Sequence, residues 1–593
     1  MDKKNTILAI ALSTLVIIIG YTVQATFFPT EKKPTTTTEK TQPASTSLSQ
    51  STLVDTSNVI NEDTETAALL TSVNTDVQEA LKEEKTVIET DLVRVEFTNR
   101  GGDIVSYKLK KHTDKNGEVE MAEFVTDKNR AFSLILGDAK GSVVNQLFNV
   151  KKINDSTIGF YRTFSVKNAD GTDSSFTLAK QYKFYPDDYM FELKVTIDGA
   201  SNLSGIQFGQ AAYTIKTSPQ IGPKWNVKQD KYEYRKFYEY VNGKVKKNIT
   251  LNAGQVKDIT DKASWAGVVG KYFTLIALPE NPSQSLVFST QTELTDTTAA
   301  QIYLTRAPIT GNRNTDVWRF YLGPRTEKAL SKYNIAANNP FNLSNINLDQ
   351  IVESSGILGP LELLLKWLME FFYKLIPNWG VSIIILTILM RFVIFPLTKK
   401  SSESSLKMQE LQPRIQEIQE KYKNNSQKMN EEMAKFYKEA GYNPLSGCLP
   451  LLIQFPLIFA MYNLFNNYFE FRGALFISGW IPDLSQGDSI MMLPFAVPFL
   501  GWSDLRILPI IYVISQLLFG KVTQTPGNSQ QNSTMKFMMY GMPLIFFFMF
   551  YNAPSGLLIY WTLSNFLTLV QQLIINKIMH KKKKHNELKL VKK

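Results

Sequence analysis

Hydrophobic positions along this chain change period several times, and each change marks a new element. Residues 1–28 contain "TILAIALSTLVIIIGYTVQATFF" behind two lysines, a run long enough to span a bilayer. Residues 29–86 are rich in Thr, Ser and Pro and read as a linker without a core. From residue 87 to 340 the apolar period becomes two. Val93, Val95 and Phe97 alternate with Arg94, Glu96 and Thr98, a turn follows at Asn99-Arg100-Gly101-Gly102, and Val105, Tyr107 and Leu109 resume. Phe191, Leu193, Val195 and Ile197 repeat the pattern. Such alternation predicts antiparallel strands in one large sandwich. Residues 356–378 switch to a helical period, with Glu362, Lys366, Glu370 and Lys374 forming one charged stripe on a greasy helix. That predicts a helix lying in a membrane interface, stripe to water; an amphipathic helix docked on the sheet domain is the competing reading.

Five apolar segments complete the pattern, at 380–398, 447–468, 505–522, 536–552 and 556–577. Residues 399–443, between the first two, are polar but helical. Leu411, Ile415, Ile418 and Tyr422 are spaced 4-3-4, as are Met429, Met433, Phe436 and Ala440, with Asn424-Asn425-Ser426 between them. This predicts an antiparallel helical hairpin with a kink at Pro413. Residues 578–593 form a basic tail.

Charge orients these segments. Lysines and arginines crowd the N-terminus, the hairpin, Lys521–Lys536 and the tail, whereas the loop from Glu470 to Asp504 carries four acids against Arg472. By the positive-inside rule, six spans put both termini and the hairpin in the cytoplasm and the sheet domain outside. Val23-Gln24-Ala25 resembles a cleavage site, so the first span reads either as an anchor or as a removable signal peptide.

The first of the five segments, "SIIILTILMRFVIFPLTKKS", contains Arg391 eight residues before Lys399. That is about 12 Å along a helix, inside a hydrocarbon core about 30 Å thick. A guanidinium at such a depth costs ~2.5–3.5 kcal/mol even on the lenient insertion scale. Other hydrophilic groups share the interior: Thr387 one turn away, Gln454 and Asn463, Ser515 and Gln516, and the series Thr562, Ser564, Asn565, Thr568, Gln571 and Gln572. No Asp or Glu lies within these segments. A lone Ser or Thr satisfies itself on its own helix, and an arginine can snorkel. Together they point to a shared polar cavity, a water-filled groove open to the cytoplasm. "MKFMMYGMPLIFFFMFY" supplies an adaptable apolar surface through residues such as Met542, Phe546 and Phe550; plain lipid contact also accounts for it.

Catalysis has little foundation here. The three histidines are His112, His580 and His585, the single cysteine is Cys448, and no HExxH, GxSxG or P-loop occurs. Neither a triad nor a histidine metal site is expected, nor any cofactor. Net charge is +11, which favours RNA-rich or anionic partners.

"NPLSGCLPLLIQFPLIFAMYNLF", "ILTILMRFVIFPLT" and "APSGLLIYWTLSNFLTLVQQ", with "VEFTNRGGDIVSYKL" and "WAGVVGKYFTLIALP" in the sheet domain, resemble the YidC-type membrane protein insertases. The order of elements is similar to the long bacterial form. The resemblance implies an α-helical integral membrane protein of six spans, with a five-helix core around a polar groove and an all-β periplasmic super-sandwich. It implies residence in the bacterial inner membrane, an uncleaved N-terminal anchor and no enzymatic activity. Nascent membrane proteins would be the substrates, inserted alone or with the Sec translocon. Membrane lipids, and the ribosome through the hairpin and tail, would be further partners. Arg391 matches the family's groove arginine and Thr387 a neighbouring groove position. The expected groove set adds Gln454, Gln516, Tyr560, Trp561, Thr562 and Asn565, and the apolar slide Phe455, Phe459, Met542, Phe546 and Phe550. Trp561 departs from the family, many members of which carry tyrosine there, and the stretch Ser489–Trp502 is longer than in the commonest members. A secondary transporter or a membrane-anchored binding protein is the alternative class.

Overall fold

The computed structural model describes residues 70–71 and 81–591, except 115, 168–172, 200–210, 226–231, 253–254, 260–261, 281–284, 295–296, 310, 353–357, 443–448, 496, 498–499 and 524–539. The expected N-terminal span and most of the linker lie outside the described residues.

The β-rich part contains three antiparallel sheets. The largest has ten strands; its centre runs Asp173–Lys183, Met190–Asp198, Arg313–Pro324, Phe273–Pro279, Ala263–Gly270 and Arg235–Val241 in hydrogen-bonded order. A five-stranded sheet centred on Thr297–Arg306 and a four-stranded sheet spanning Lys85–Glu120 stack against it. All three contribute to one apolar core, where Phe132 meets Phe191 and Phe320 at 5.3 and 4.8 Å.

The large sheet is covered on both faces. Phe191, Leu275 and Phe320 face the shared core, while their neighbours Met190, Ile276 and Tyr321 pack against Leu330, Tyr333, Phe341, Leu348 and Ile351. Double burial explains why Phe273–Pro279 is buried throughout and, Thr274 apart, apolar instead of alternating. It also carries the covering segment to Ile351, past the expected boundary at Pro340. The predicted alternation fails locally at Val105. A bulge between Glu96 and Phe97 pairs Phe97 with Ile104, so Ile104 is buried and Val105 only half-buried. Gly101 and Gly102 form the preceding turn with positive φ. A Cβ on Gly102 would lie 2.7 Å from that of Phe160, so only glycine fits.

This turn places a charge cluster in the core. Asp103 Oδ1 accepts from Lys180 Nζ at 2.5 Å, and Oδ2 from Arg130 Nε at 2.9 Å. Lys180 also donates to the carbonyls of Phe132 (2.8 Å) and Gly101 (3.2 Å). Asp103 and Lys180 are fully buried, and Arg130 nearly so.

Among the described residues seven α-helices follow: α1 Gly359–Leu375, α2 Trp379–Lys421, α3 Ser426–Glu439, α4 Leu449–Asn467, α5 Leu508–Thr523, α6 Met542–Phe550 and α7 Ser555–Val591. Asn378 caps α2, its side chain accepting from Val381 N, and Asn425 caps α3 through Lys428 N. Three expectations bear on these helices. First, the arginine segment and the first hairpin helix are one 43-residue helix that runs through Pro396 and Pro413; each proline removes one backbone bond without ending it. Second, two described helices are long and apolar enough to cross a bilayer, Trp379–Ser404 and Ser555–Met579, with Leu508–Lys521 shorter. Residues 536–539 of the expected span 536–552 lie outside the described residues, and the described part of α6 is nine residues, about 14 Å at 1.5 Å per residue. Third, the stripe of α1 does not simply face water. Tyr468 donates to Glu370 at 2.8 Å, and Lys366 Nζ sits 5.5 Å over the Tyr468 ring. The exposed face is apolar, with Leu363, Leu364, Trp367 and Phe371, as suits a helix whose outer side meets lipid.

The sheet domain touches the loop after α4. His112 Nε2 lies 3.1 Å from Tyr189 Oη, and its ring packs at 5.2 Å on Phe469. Arg472 donates to the Thr113 carbonyl at 2.7 Å. Burial first, then the Arg472 charge, holds the His112 imidazole down at about 4, against 6.5 ordinarily. An undocked imidazole therefore takes up a proton below about 6.5 that the docked one refuses. This contribution to docking is complete above pH 6.5 and fades as pH falls toward 4. Hydrogen-exchange protection at residues 112–114 and 469–472, taken relative to the intrinsic exchange rate at each pH, should fall over that window, and His112→Phe should abolish the dependence.

Candidate functional site

Thr387 and Arg391 stand one turn apart on α2, so they share a helix face. Gln454 and Leu457 reach the same point from α4, and Tyr560 and Ser564, also one turn apart, from α7. With Met390 and Ile394 these residues line a small void with room for about one water molecule. Arg391 is 7% exposed and donates to the Ser564 hydroxyl. No carboxylate pairs with it among the described residues, so its charge is balanced by neutral dipoles only.

Thr387 lines the void, but its hydroxyl donates back to the Ile383 carbonyl at 2.6 Å. Its contribution to the void is therefore a methyl and a spent hydroxyl. Below this level the polar face of α7 closes onto α2. Gln571 Nε2 donates to the Arg391 carbonyl at 3.2 Å, and Ser402 to Gln572 Oε1 at 2.9 Å.

The remaining groove candidates lie elsewhere. Asn565 turns to α5, donating to Ser515 at 3.2 Å, and Gln516 donates to Tyr512 Oη within α5 at 3.1 Å. Thr562 lines a different, open cleft between α2, α5 and α7 that is apolar apart from Thr562 and Ser515. The expected set thus separates into an arginine pocket (Thr387, Arg391, Gln454, Tyr560), a seam between α7 and α5 (Asn565, Gln516) and an apolar cleft (Thr562).

Comparison with known proteins bears directly on this arrangement. The family model described as 60Kd inner membrane protein matches residues 371–583, and that of the YidC periplasmic domain residues 85–353. A membrane protein insertase YidC from Treponema denticola is 53% identical over 590 residues, covering 98% of this chain and all of the relative. One from Treponema pallidum is 45% identical, with the same coverage. A solved active YidC insertase covers 83% of this chain and 92% of its own, at 17% identity and a TM-score of 0.34. The chain belongs to the YidC family of membrane protein insertases. It is accordingly an inner-membrane protein with a periplasmic domain and a helical C-terminal region. Kinship along the whole chain disfavours the transporter and binding-protein alternatives.

Within this YidC-family core, Tyr560 and Trp561 part company. One residue of helix is about 100° of rotation. Tyr560 faces the arginine pocket, whereas Trp561 packs on Phe550 at 4.7 Å and Tyr512 at 5.8 Å. Trp561 therefore joins the aromatic surface rather than the pocket. Phe550, expected on that surface, is buried, while Met542 and Phe546 are half-buried and Leu544, Ile545 and Phe548 are exposed. Phe455 and Phe459 stack on α4 at 6.3 Å and are half-buried. Ser564 is one polar residue among many on α7 in the sequence, and its spacing of four from Tyr560 is the signal that places the two on one helix face.

Proposed function

We propose that this chain inserts membrane proteins, with α2, α4 and α7 receiving the hydrophilic flank of a substrate and the apolar faces of α5, α6 and α7 guiding its hydrophobic segment into lipid. The observation that carries this reading is Arg391, buried in a helix apolar enough to span the membrane and balanced by Ser564 without a carboxylate. A substrate carboxylate about 4 Å from such a guanidinium gains roughly 4 kcal/mol at an effective dielectric of 20, before desolvation. That suffices to recruit an acidic tail and is small enough to release it. Thr387, Gln454 and Tyr560 complete the pocket, while the seam of Asn565 and Gln516 and the cleft lined by Thr562 are separate surfaces that a substrate would meet beyond it. Burial of about 20 apolar residues drives the transfer, so no nucleotide or cofactor is required.

The finer topology belongs to the same proposal: six spans, an uncleaved N-terminal anchor, a groove wetted from the cytoplasm and a cytoplasmic C-terminus. The helical hairpin of 399–443 and the basic tail would meet the ribosome, and the Sec translocon would share larger substrates.

Insertion of a single-span protein into liposomes, with and without the reconstituted chain, tests the reading. Protease-protected, correctly oriented product should accumulate well above the level in empty vesicles. Equal yields in the two, with the chain folded and correctly oriented, would refute it.

A further inference from the structure

Between the sheet domain and the loops that precede α5 and α7 lies a second cleft, open to solvent. Its charged lining comprises Lys224, Lys271, Arg472 and Arg506 against Asp114, Glu233 and Asp504. The acids are engaged. Glu233 Oε1 accepts from Arg235 at 2.7 Å and from Lys271 N at 3.0 Å. Asp504 accepts from Ser489 at 3.0 Å and Ser503 at 3.3 Å, and Asp114 from Asn116 N at 2.7 Å.

The donors are less well served. Among the described residues, Arg506 Nε and Nη1 and Trp225 Nε1 are buried without an acceptor, and Arg506 meets Asp504 at 3.7 Å. Among the described residues, Lys271 Nζ contacts the ring faces of Tyr272 and Tyr232, at 4.8 and 5.8 Å, and no acid. Donors left over after the acids are satisfied call for an acceptor-rich anion.

The cleft is built to hold that charge. A Cβ on Gly487 would fall 1.4 Å from Arg506 Nη1, so only glycine leaves room for the guanidinium. Asp488 fixes the adjoining backbone by accepting from Ile507 N and Leu508 N at 2.8 and 3.0 Å. Arg506 thus sits just before α5, where an apolar helix leaves the membrane. The neighbouring hairpin, pairing Met491–Met492 with Asp504–Leu505, exposes Ile490, Met491, Met492 and Phe495, an apolar tip suited to acyl chains. We propose that this cleft binds the phosphodiester headgroup of an anionic phospholipid from the outer leaflet, with the hairpin tip beside its chains. The long stretch 489–502 thereby gains a role.

Native mass spectrometry of the full chain in neutral maltoside detergent, titrated with phosphatidylglycerol, phosphatidylcholine or inorganic phosphate, tests this. Phosphatidylglycerol should bind saturably and roughly tenfold more tightly than phosphatidylcholine, whose quaternary ammonium the cations repel. Arg506→Gln should weaken it by roughly tenfold or more. Lys271→Gln breaks no ion pair of the fold and should do the same, while Lys271→Arg should retain binding. Equal affinity for both lipids, or binding untouched by these substitutions, would overturn the proposal. Inorganic phosphate saturating the cleft as tightly as the lipid would overturn the lipid assignment, and so would an acidic peptide that displaces phosphatidylglycerol and binds more tightly.

Discussion

Replacing Asp103 with alanine should destabilise the periplasmic domain by about 3–5 kcal/mol, the usual cost of leaving a buried charge without its partner. Here two cations are stranded. Lys180 keeps the Gly101 and Phe132 carbonyls, and Arg130 keeps the Asp127 carbonyl and Asn145, but dipoles do not cancel two positive charges in a core sealed by Phe132 and Phe160. Domains have only about 5–15 kcal/mol in total, so a large share of the stability is at stake. Lys180→Met should cost less, because Asp103 retains Arg130. Urea unfolding followed by hydrogen exchange in Asp103–Asp114 and Asp173–Lys183 measures both variants. A change below about 1 kcal/mol in Asp103→Ala would show that water or relaxation compensates the cluster.

Arg391→Ala should slow insertion of a single-span protein with an acidic exported tail by roughly tenfold or more, since part of the ~4 kcal/mol Coulomb attraction at 4 Å disappears. A substrate with a neutral tail should insert at nearly the wild-type rate, because its apolar segment still partitions into lipid. Ser564→Ala removes only the hydroxyl that accepts from Arg391 and should leave the preference for acidic tails in place. The comparison is made in liposomes with tails differing only in charge. If both tails are slowed equally, the arginine maintains the packing of α2, α4 and α7 and does not recruit carboxylates.

Much of this architecture is legible in local sequence because it depends on local periodicity. Alternation over Met190–Asp198 reads as a half-buried strand and is one, with a strictly alternating burial pattern after its first residue pair. The Asn-Arg-Gly-Gly turn, the apolar run holding Arg391 and the family motifs are likewise continuous stretches. Where local pattern misled, a second contact had intervened. Phe273–Pro279 lost its alternation because helical turns cover the outer face of the large sheet. Val105 lost its place in the core to a bulge. The stripe on α1 found Tyr468, which lies beyond any periodicity of that helix.

The sequence alone determined which segments are strand or helix, which helices are apolar, and that one of them carries an unpaired arginine, since these properties reside in residues a few positions apart. Only the tertiary structure decided which polar residues meet. Arg391 and Ser564 are 173 positions apart, and Asp103 and Lys180 are 77 apart. Tyr560 and Trp561 are adjacent in the chain yet face different surroundings. Such pairings are set by how helices and sheets stack, where burial of apolar area fixes the partners and polar groups must satisfy one another within the geometry that results.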